Sequence, residues 1–343
     1  MPFGIRDVPE ESHVDSHYFM TSSCSSYVSL IDEYGDRGGR EMIKHEFGGE
    51  HTELKLDVIR AYLDFYCNAL KNQNFETWYV DGFAGTGFRQ EVRQTGGLLE
   101  GEPIALEETT LLGSASIALA TTPPFDHYHF VEAHGPRRKA LKEMCENAGR
   151  HDAIVHSGDA NQRIVEIMQL PKWTSGNTGW RQRAVVFLDP YGMGVRWQTL
   201  RTLAESRRVD VWYLINLKAI QQQMAKDFRG LDDTKFAALS DIFGTEDWKS
   251  EFYVSRPPQT QLFGGVEESD ERVGSREDIS NFLRKRLATL FRFVSEPLPL
   301  TVGNIDRYFE LYCLANPERD VALGLIQKGV RDIIKKRAPQ GRR

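Results

Sequence analysis

The chain has few of the features that would settle its class at a glance. No apolar run approaches the roughly 18 residues of a membrane-spanning helix, and the opening MPFGIRDVPEESH lacks the basic and apolar regions of a secretory signal. A cytoplasmic location is therefore the expectation. Only four cysteines occur, Cys24, Cys67, Cys145 and Cys313, none in CxxC or Cys/His spacing, which argues against a disulfide framework and against a zinc site. Buried thiols and no metal are expected instead. Positive charge is not in excess either: the formal net charge is −6, so any contact with nucleic acid has to come from a local patch. Internal repeats and low-complexity tracts are missing as well.

What remains is ordinary globular material. A chain of 343 residues, 40% hydrophobic and 27% charged, can bury a full core in one large domain with appendages or in two domains. Residues 1–50, rich in Ser, Gly, Asp and Glu, read as an irregular extension. Leu56, Ile59, Leu63, Tyr66 and Leu70 then recur at intervals of three and four, the stripe of an amphipathic helix with Thr52 as its N-cap.

Short apolar runs follow: TWYVD (77–81), HYHFVE (127–132), AIVH (153–156), AVVFLD (184–189) and VDVWYLIN (209–216). Several are almost continuously apolar, as strands covered on both faces are. Helical patterns around Pro103–Leu112, Pro136–Ala148, Asn161–Leu170 and Trp197–Glu205 separate them. The expected fold is α/β: a Rossmann-like, mostly parallel seven-stranded sheet with helices on both faces. Residues 51–217 form its cofactor-binding core and 218–290 a mainly helical insertion whose last helix begins at a Ser275/Asp278 capping box. Residues 291–343 supply a strand pair, a helix and a basic tail.

The stretch YVDGFAGTG leaves a strand and at once gives up its side chains. Glycines there let a ligand approach backbone N–H groups at a helix start. Neither GxGxxG nor GxxxxGK[ST] is written in it, and the leading Asp81 would repel phosphate while suiting an ammonium group. A tight strand-to-helix turn without any ligand uses the same glycines. Three more strands end in acids: Glu132, which can accept from both hydroxyls of a ribose, Asp159 in SGDAN, and Asp189 in FLDPYG. Each alone reads as a helix cap or turn residue. Four successive strands ending this way point to the crevice where open α/β sheets bind ligands. Asp81 and Glu132 stand 51 positions apart, against roughly 20 in a compact nucleotide-binding unit, so an insertion from Phe88 to about Pro124 lies beside the pocket as a lid or wall. In DPYG, Asp189 and the Pro190 carbonyl can accept from a planar amino group and Tyr191 can stack on it.

Taken in order, HTELKLDVIRAYL, YVDGFAGTG, EGEP, FVEAH, GDAN, FLDPYG and RYFELYCLAN resemble the three-Cys-motif partner family, a branch similar to class I S-adenosylmethionine-dependent methyltransferases. The resemblance runs over roughly residues 51–335. It implies S-adenosyl-L-methionine as cofactor, held by Asp81, Gly82, Phe83, Gly85 and Gly87 at the methionine end, by Glu132 at the ribose and by Asp159 and Ala160 at the adenine. It also gives His51 and Lys55, four apart on one helix face, a place along the cofactor pocket. Asp189, Pro190 and Tyr191 become the catalytic set. A nucleic acid, methylated at an exocyclic amine of a base, is the implied acceptor, and a protein carrying the three-Cys motif an implied partner. Amino-methylating enzymes write [DN]PP[YFW], whereas here Tyr191 stands third and Gly192 fourth, which leaves the acceptor open. A cofactor-binding regulatory partner of another enzyme and, less well matched, an NAD-binding oxidoreductase are the competing readings. Nucleic-acid contact has two local candidates, the tail Lys335, Lys336, Arg337, Arg342 and Arg343 and the segment Arg181–Arg208 with Trp180 and Trp197; GPRRK, beginning a helix after Glu132, reads equally as surface. Each is equally a solvated face.

Overall fold

A computed structural model describes residues 49–95, 105–260 and 266–337. Helix α1 (Glu50–Leu70) comes first. Strand β1 (Glu76–Asp81) leads into a hairpin of β2 (Phe88–Thr95) and β3 (Ala105–Leu112), then α2 (Ser114–Leu119). β4 (His127–Val131), α3 (Gly135–Asn147), β5 (Ile154–His156), α4 (Ala160–Met168) and the short α5 (Pro171–Thr174) follow. Next are β6 (Gln182–Leu188), α6 (Trp197–Ser206), β7 (Val209–Ile215) and α7 (Leu217–Gln223). The connection holds α8 (Asp233–Phe243), α9 (Trp248–Phe252), a hairpin of β8 (Tyr253–Thr260) and β9 (Val266–Arg272), and α10 (Arg276–Leu287). β10 (Phe293–Val294), β11 (Leu298–Val302), β12 (Ile305–Ala315) and α11 (Asp320–Arg337) close the described chain.

The main sheet runs β10-β12-β7-β6-β1-β4-β5. β5, β4, β1, β6 and β7 are parallel and β12 is antiparallel to β7. Numbering the five parallel strands by their order in the chain and reading them across the sheet gives 3-2-1-4-5, the Rossmann-like order, with the switch point at β1. The expected fold class is present. The sheet has eight strands, however, where seven are expected. β10 and β11 both pair with β12, at opposite ends of it, and Ser295 keeps the ladder going through its N–H to the Cys313 carbonyl at 2.9 Å. The edge position is thus one strand broken before Pro297, which has no N–H to offer.

Alternation along each strand sorts the core. Trp78, Val80, Val186, Val211, Tyr213 and Tyr312 face one way and pack on Ile164, Leu200, Ile220, Leu239 and Leu283 from α4, α6, α7, α8 and α10. Trp212 faces the other way and meets Tyr62 of α1 with ring centroids 5.0 Å apart. Tyr79 on the same side packs on Phe125 at 5.6 Å and Phe130 at 6.0 Å. Large rings buried on both faces explain why these strands read as continuous apolar runs.

Local expectations fail in three places. Residues 105–112 are a strand, not a helix: ALEETTLL has helix-forming residues, but pairing with Phe88–Thr95 overrides that preference. The insertion between β1 and β4 folds as this hairpin plus α2. α1 begins at Glu50 with Gly49 as N-cap, so Thr52 lies inside the first turn. β8 and β9 add a hairpin to a segment that reads as helix and loop. The Ser275/Asp278 capping box is formed. Cys67, Cys145 and Cys313 are free and buried; Cys24, Arg342, Arg343 and the first 48 residues lie outside the described residues.

Candidate functional site

Because β5, β4, β1 and β6 are parallel neighbours, their C-terminal ends share one rim. Asp81 is the last residue of β1 and aligns with Phe130 on one side and Phe187 on the other. Glu132 follows one residue past β4 and Asp189 one past β6, while Asp159 stands three beyond β5. The structure therefore brings the four acids to the edge expected of them, at the switch point of the sheet.

Asp81 is fully buried. Its Oδ1 accepts from the Phe83 N–H at 3.0 Å, and Tyr79 donates its hydroxyl to Oδ2 at 3.3 Å. Burial pushes the carboxyl up to about 6, and the charge of Asp189 adds to the rise; a hydrogen bond from the Ser114 side chain, the Phe83 N–H and Tyr79 pull against it. Such a carboxylate costs free energy to ionise and gains from any cation brought beside it.

The turn itself is built to keep side chains away. Gly82 is buried and donates its N–H to the Phe187 carbonyl at 3.0 Å, and Ala84 donates to Val131 at 3.0 Å, so the turn is tied to both flanking strands. Gly85 has φ +63°, and a Cβ added there would meet nothing within 4 Å. Gly87 has φ +81°, and its Cβ would lie 2.5 Å from Met144 of α3. One glycine thus opens on empty space and the other lets a helix close in.

Glu132 is 8% exposed, and its Oε1 accepts from the His134 N–H at 2.7 Å. Asp159 caps α4, its Oδ1 accepting from Gln162 N–H at 3.0 Å, and is exposed; the cap expected of a lone acid at a strand end is real, and half the carboxylate is committed to it. Ala160 is buried at the same helix start. Lys55 is buried, and its Nζ pairs with Asp189 Oδ2. It also lies 6.0 Å from the Phe187 ring centroid. His51, one turn earlier, stacks on Phe309 of β12 at 5.8 Å. Pro190 is buried, whereas Tyr191 is 68% exposed and its hydroxyl accepts from Arg137 Nη1 at 3.3 Å.

Two supporting residues escaped the sequence reading. Ser114, at the start of α2, reaches Asp81 from the inserted hairpin's far side. Asn161 donates to the Gly194 carbonyl at 2.9 Å and accepts from the Arg196 N–H and the Thr199 hydroxyl, both at 2.8 Å. It ties the start of α4 to the loop that carries Asp189 and Tyr191. A buried Asn beside GDA was the available signal for the second; GSAS after the hairpin was a faint one for the first.

The basic candidates separate. Arg183 lies over the Phe75 ring at 4.1 Å and Arg208 binds the Gly179 and Trp173 carbonyls, both at the N-terminal ends of β6 and β7, across the sheet from the acids. Trp197 is 6% exposed and so unable to stack on a base. Arg337 pairs with Asp57 at 2.7 Å. A cavity of about 210 Å³ lined by Lys142, Cys145, Arg150 and His151 also lies by the start of β5, away from the acidic rim. Among the described residues no helix is long and apolar enough to cross a membrane.

No family model and no curated protein matches the chain. Solved structures do. A protein from Legionella pneumophila, LPL1258, is 12% identical over 86% of this chain and 96% of its own, with a TM-score of 0.42. An O-methyltransferase from Bacillus cereus in complex with SAH is 12% identical over 84% and 97%, with a TM-score of 0.35. An rRNA methylase from Streptococcus thermophilus is 12% identical over 68% and 99%, with a TM-score of 0.28. All three scores fall below 0.5, and the fold class of this chain is carried by its own strand order.

Proposed function

We propose that this chain is a methyltransferase of the three-Cys-motif partner type that binds S-adenosyl-L-methionine and acts on a nucleic acid. The observation that carries the reading is the convergence of Asp81, Glu132, Asp159 and Asp189 on one sheet rim beside the Gly82–Gly87 turn. The residues suit a cationic nucleoside. Gly85 leaves the space a Cβ would fill, and the buried, reluctantly ionised Asp81 favours an ammonium group over a phosphate.

In this reading Asp81 and the turn from Gly82 through Phe83, Gly85 and Gly87 hold the methionine end, with His51 and Lys55 alongside on α1. Glu132 accepts from the ribose hydroxyls. Asp159, with Oδ2 left over from its capping role, and Ala160 hold the adenine. The cofactor supplies an activated methyl group on sulfur. The chain's own work is to fix the acceptor in line with it, so that rate comes from proximity and orientation. Asp189 and the Pro190 carbonyl accept from the acceptor amine, and the Tyr191 ring supports its base. A cytoplasmic location and a protein partner bearing the three-Cys motif belong to the same reading.

One observation favours a second reading, a cofactor-binding regulatory partner: the carboxylate meant for the acceptor is engaged by Lys55. Calorimetry with S-adenosylhomocysteine on wild type and Asp81→Ala, followed by a radiolabelled methyl assay on RNA, DNA and protein pools, separates the two. Binding lost in Asp81→Ala together with label in a nucleic-acid pool is expected. Tight binding with no label in any pool hands the case to the regulatory reading, and no binding to the wild type removes both.

A further inference from the structure

The contact between Arg137 and Tyr191 spans more than its 3.3 Å. α3 follows β4, and Tyr191 follows β6; β4 and β6 are the two neighbours of β1. Their hydrogen bond therefore crosses the end of the sheet over β1, at the candidate cofactor turn.

Tyr191 is 68% exposed although its neighbour Pro190 is buried and Asp189 half-buried. A ring with that much of its surface open can offer a face to a base. The cations beside it run against local stability. α3 opens Gly135-Pro136-Arg137-Arg138-Lys139 with no acid in its first turn, and its N-cap, His134, makes no side-chain cap bond. Positive side chains at that end oppose the helix dipole, in a chain whose net charge is −6. Arg138 Nη1 is anchored on the Glu132 and Ala133 carbonyls at 3.3 and 3.2 Å, which fixes its charge at the strand end. Local rules broken together at one place beside a candidate site are what a binding surface requires.

We propose that Tyr191 with Arg137, Arg138 and Lys139, the last also 3.9 Å from Glu143 in an exposed ion pair, forms a platform for a single-stranded nucleic acid, the ring stacking a base and the cations following the phosphates. The proposal rests on the methyltransferase reading and deepens it by naming the form of the acceptor. A base inside a duplex would have to leave its stack to reach Asp189, whereas a single strand presents its bases already splayed.

Fluorescence anisotropy with a labelled twelve-residue strand, as RNA and as DNA of the same sequence, and with the matching blunt duplex, tests it on the full chain. The expected log–log salt slope is about −2 for three phosphate contacts on a single strand, and it should fall toward zero in Arg137→Ala/Arg138→Ala/Lys139→Ala. Tyr191→Ala should weaken binding about tenfold and Tyr191→Phe should not. Binding of either strand supports the platform, and preference for RNA names the polymer. An unchanged slope in the triple variant, or a duplex bound as tightly as the strand, overturns it. Calorimetry with S-adenosylhomocysteine on the same proteins keeps the two ideas apart: cofactor binding with an unmoved salt slope sinks the platform alone, while strand binding without cofactor binding sinks the methyltransferase reading alone.

Discussion

Lys55 of α1 and Asp189 beyond β6 meet as an ion pair across 134 positions of sequence, with the lysine side chain 9% and the carboxylate 29% exposed. The pair holds the helix that precedes the sheet against the loop that would receive the acceptor. In the proposed reading, the carboxylate of the cofactor's methionine end would meet the same ammonium.

Substitutions at the two ends of the pair should therefore separate. Asp189→Asn is expected to leave S-adenosylhomocysteine affinity within about threefold of wild type and to lower methyl transfer by about 100-fold or more, the scale of losing a positioned polar group. Lys55→Ala is expected to weaken cofactor affinity about tenfold, the scale of one charge-assisted hydrogen bond. Calorimetry and a single-turnover methyl assay read the two effects; equal losses of affinity in both variants would contradict the division of labour.

Asp81 should couple binding to protons. Its folded carboxyl lies near 6, above the ordinary 3.8, so between those values the folded chain holds more protons than the unfolded one and stability falls as pH rises through that window. A cation bound beside Asp81 favours the ionised form. Titration of S-adenosylmethionine at pH 6 in two buffers of different ionisation enthalpy should show proton release, and affinity should drop below pH 6. Asp81→Asn should raise stability at pH 7 by about 3 kcal/mol while abolishing binding.

The two glycines of the turn make opposite forecasts. Gly87→Ala places a methyl group 2.5 Å from Met144 at φ +81°, and a loss of about 1–3 kcal/mol in urea denaturation is expected. Met144→Ala in the same chain should recover only the contact, not the backbone strain. Gly85→Ala, at φ +63° with open space beyond, should cost about 1 kcal/mol but weaken cofactor binding at least tenfold. Undiminished binding in that variant would mean that no ligand approaches the turn.

His129 is 3% exposed, stacked on Trp78 at 5.0 Å, and its Nδ1 is 2.9 Å from His156 Nε2. Burial, with His156 and His127 nearby, pushes it down to about 3. The folded state keeps it neutral where the unfolded chain takes up a proton, so its contribution is full above about 6.5 and is lost as pH falls toward 3. Unfolding free energy should decline by up to about 1.4 kcal/mol per pH unit between pH 6 and 4 from this group. His129→Phe should flatten the decline, and an unaltered slope would remove His129 as its cause.

Much of this architecture was legible from residue patterns because buried parallel strands announce themselves: TWYVD, HYHFV, AVVFL and VDVWYLI are mostly apolar or aromatic and buried on both faces, and each of the first three runs into an acid. Local features with one cause, such as the Ser275/Asp278 box, were equally clear. Partnerships were not. Ala105–Leu112 has helix-forming residues and becomes a strand only because a second strand is there to pair with it. The Lys55–Asp189 pair, the reach of Ser114 to Asp81 and the bridging by Asn161 join segments whose proximity exists only once the sheet has closed. Thr52 looked like a cap because its residue type suits one, while Gly49 took the place.

The interrupted strand at one side of the sheet has a consequence for company. That side bends at Ser295–Pro297, and the opposite side ends in β5, three residues long. Among the described residues, neither margin of the main sheet presents a long straight row of unpaired backbone groups for a second chain to extend. The longer open strand edges among the described residues belong to the two small hairpins, β2–β3 and β8–β9, and it is there that a second chain would find backbone to pair with.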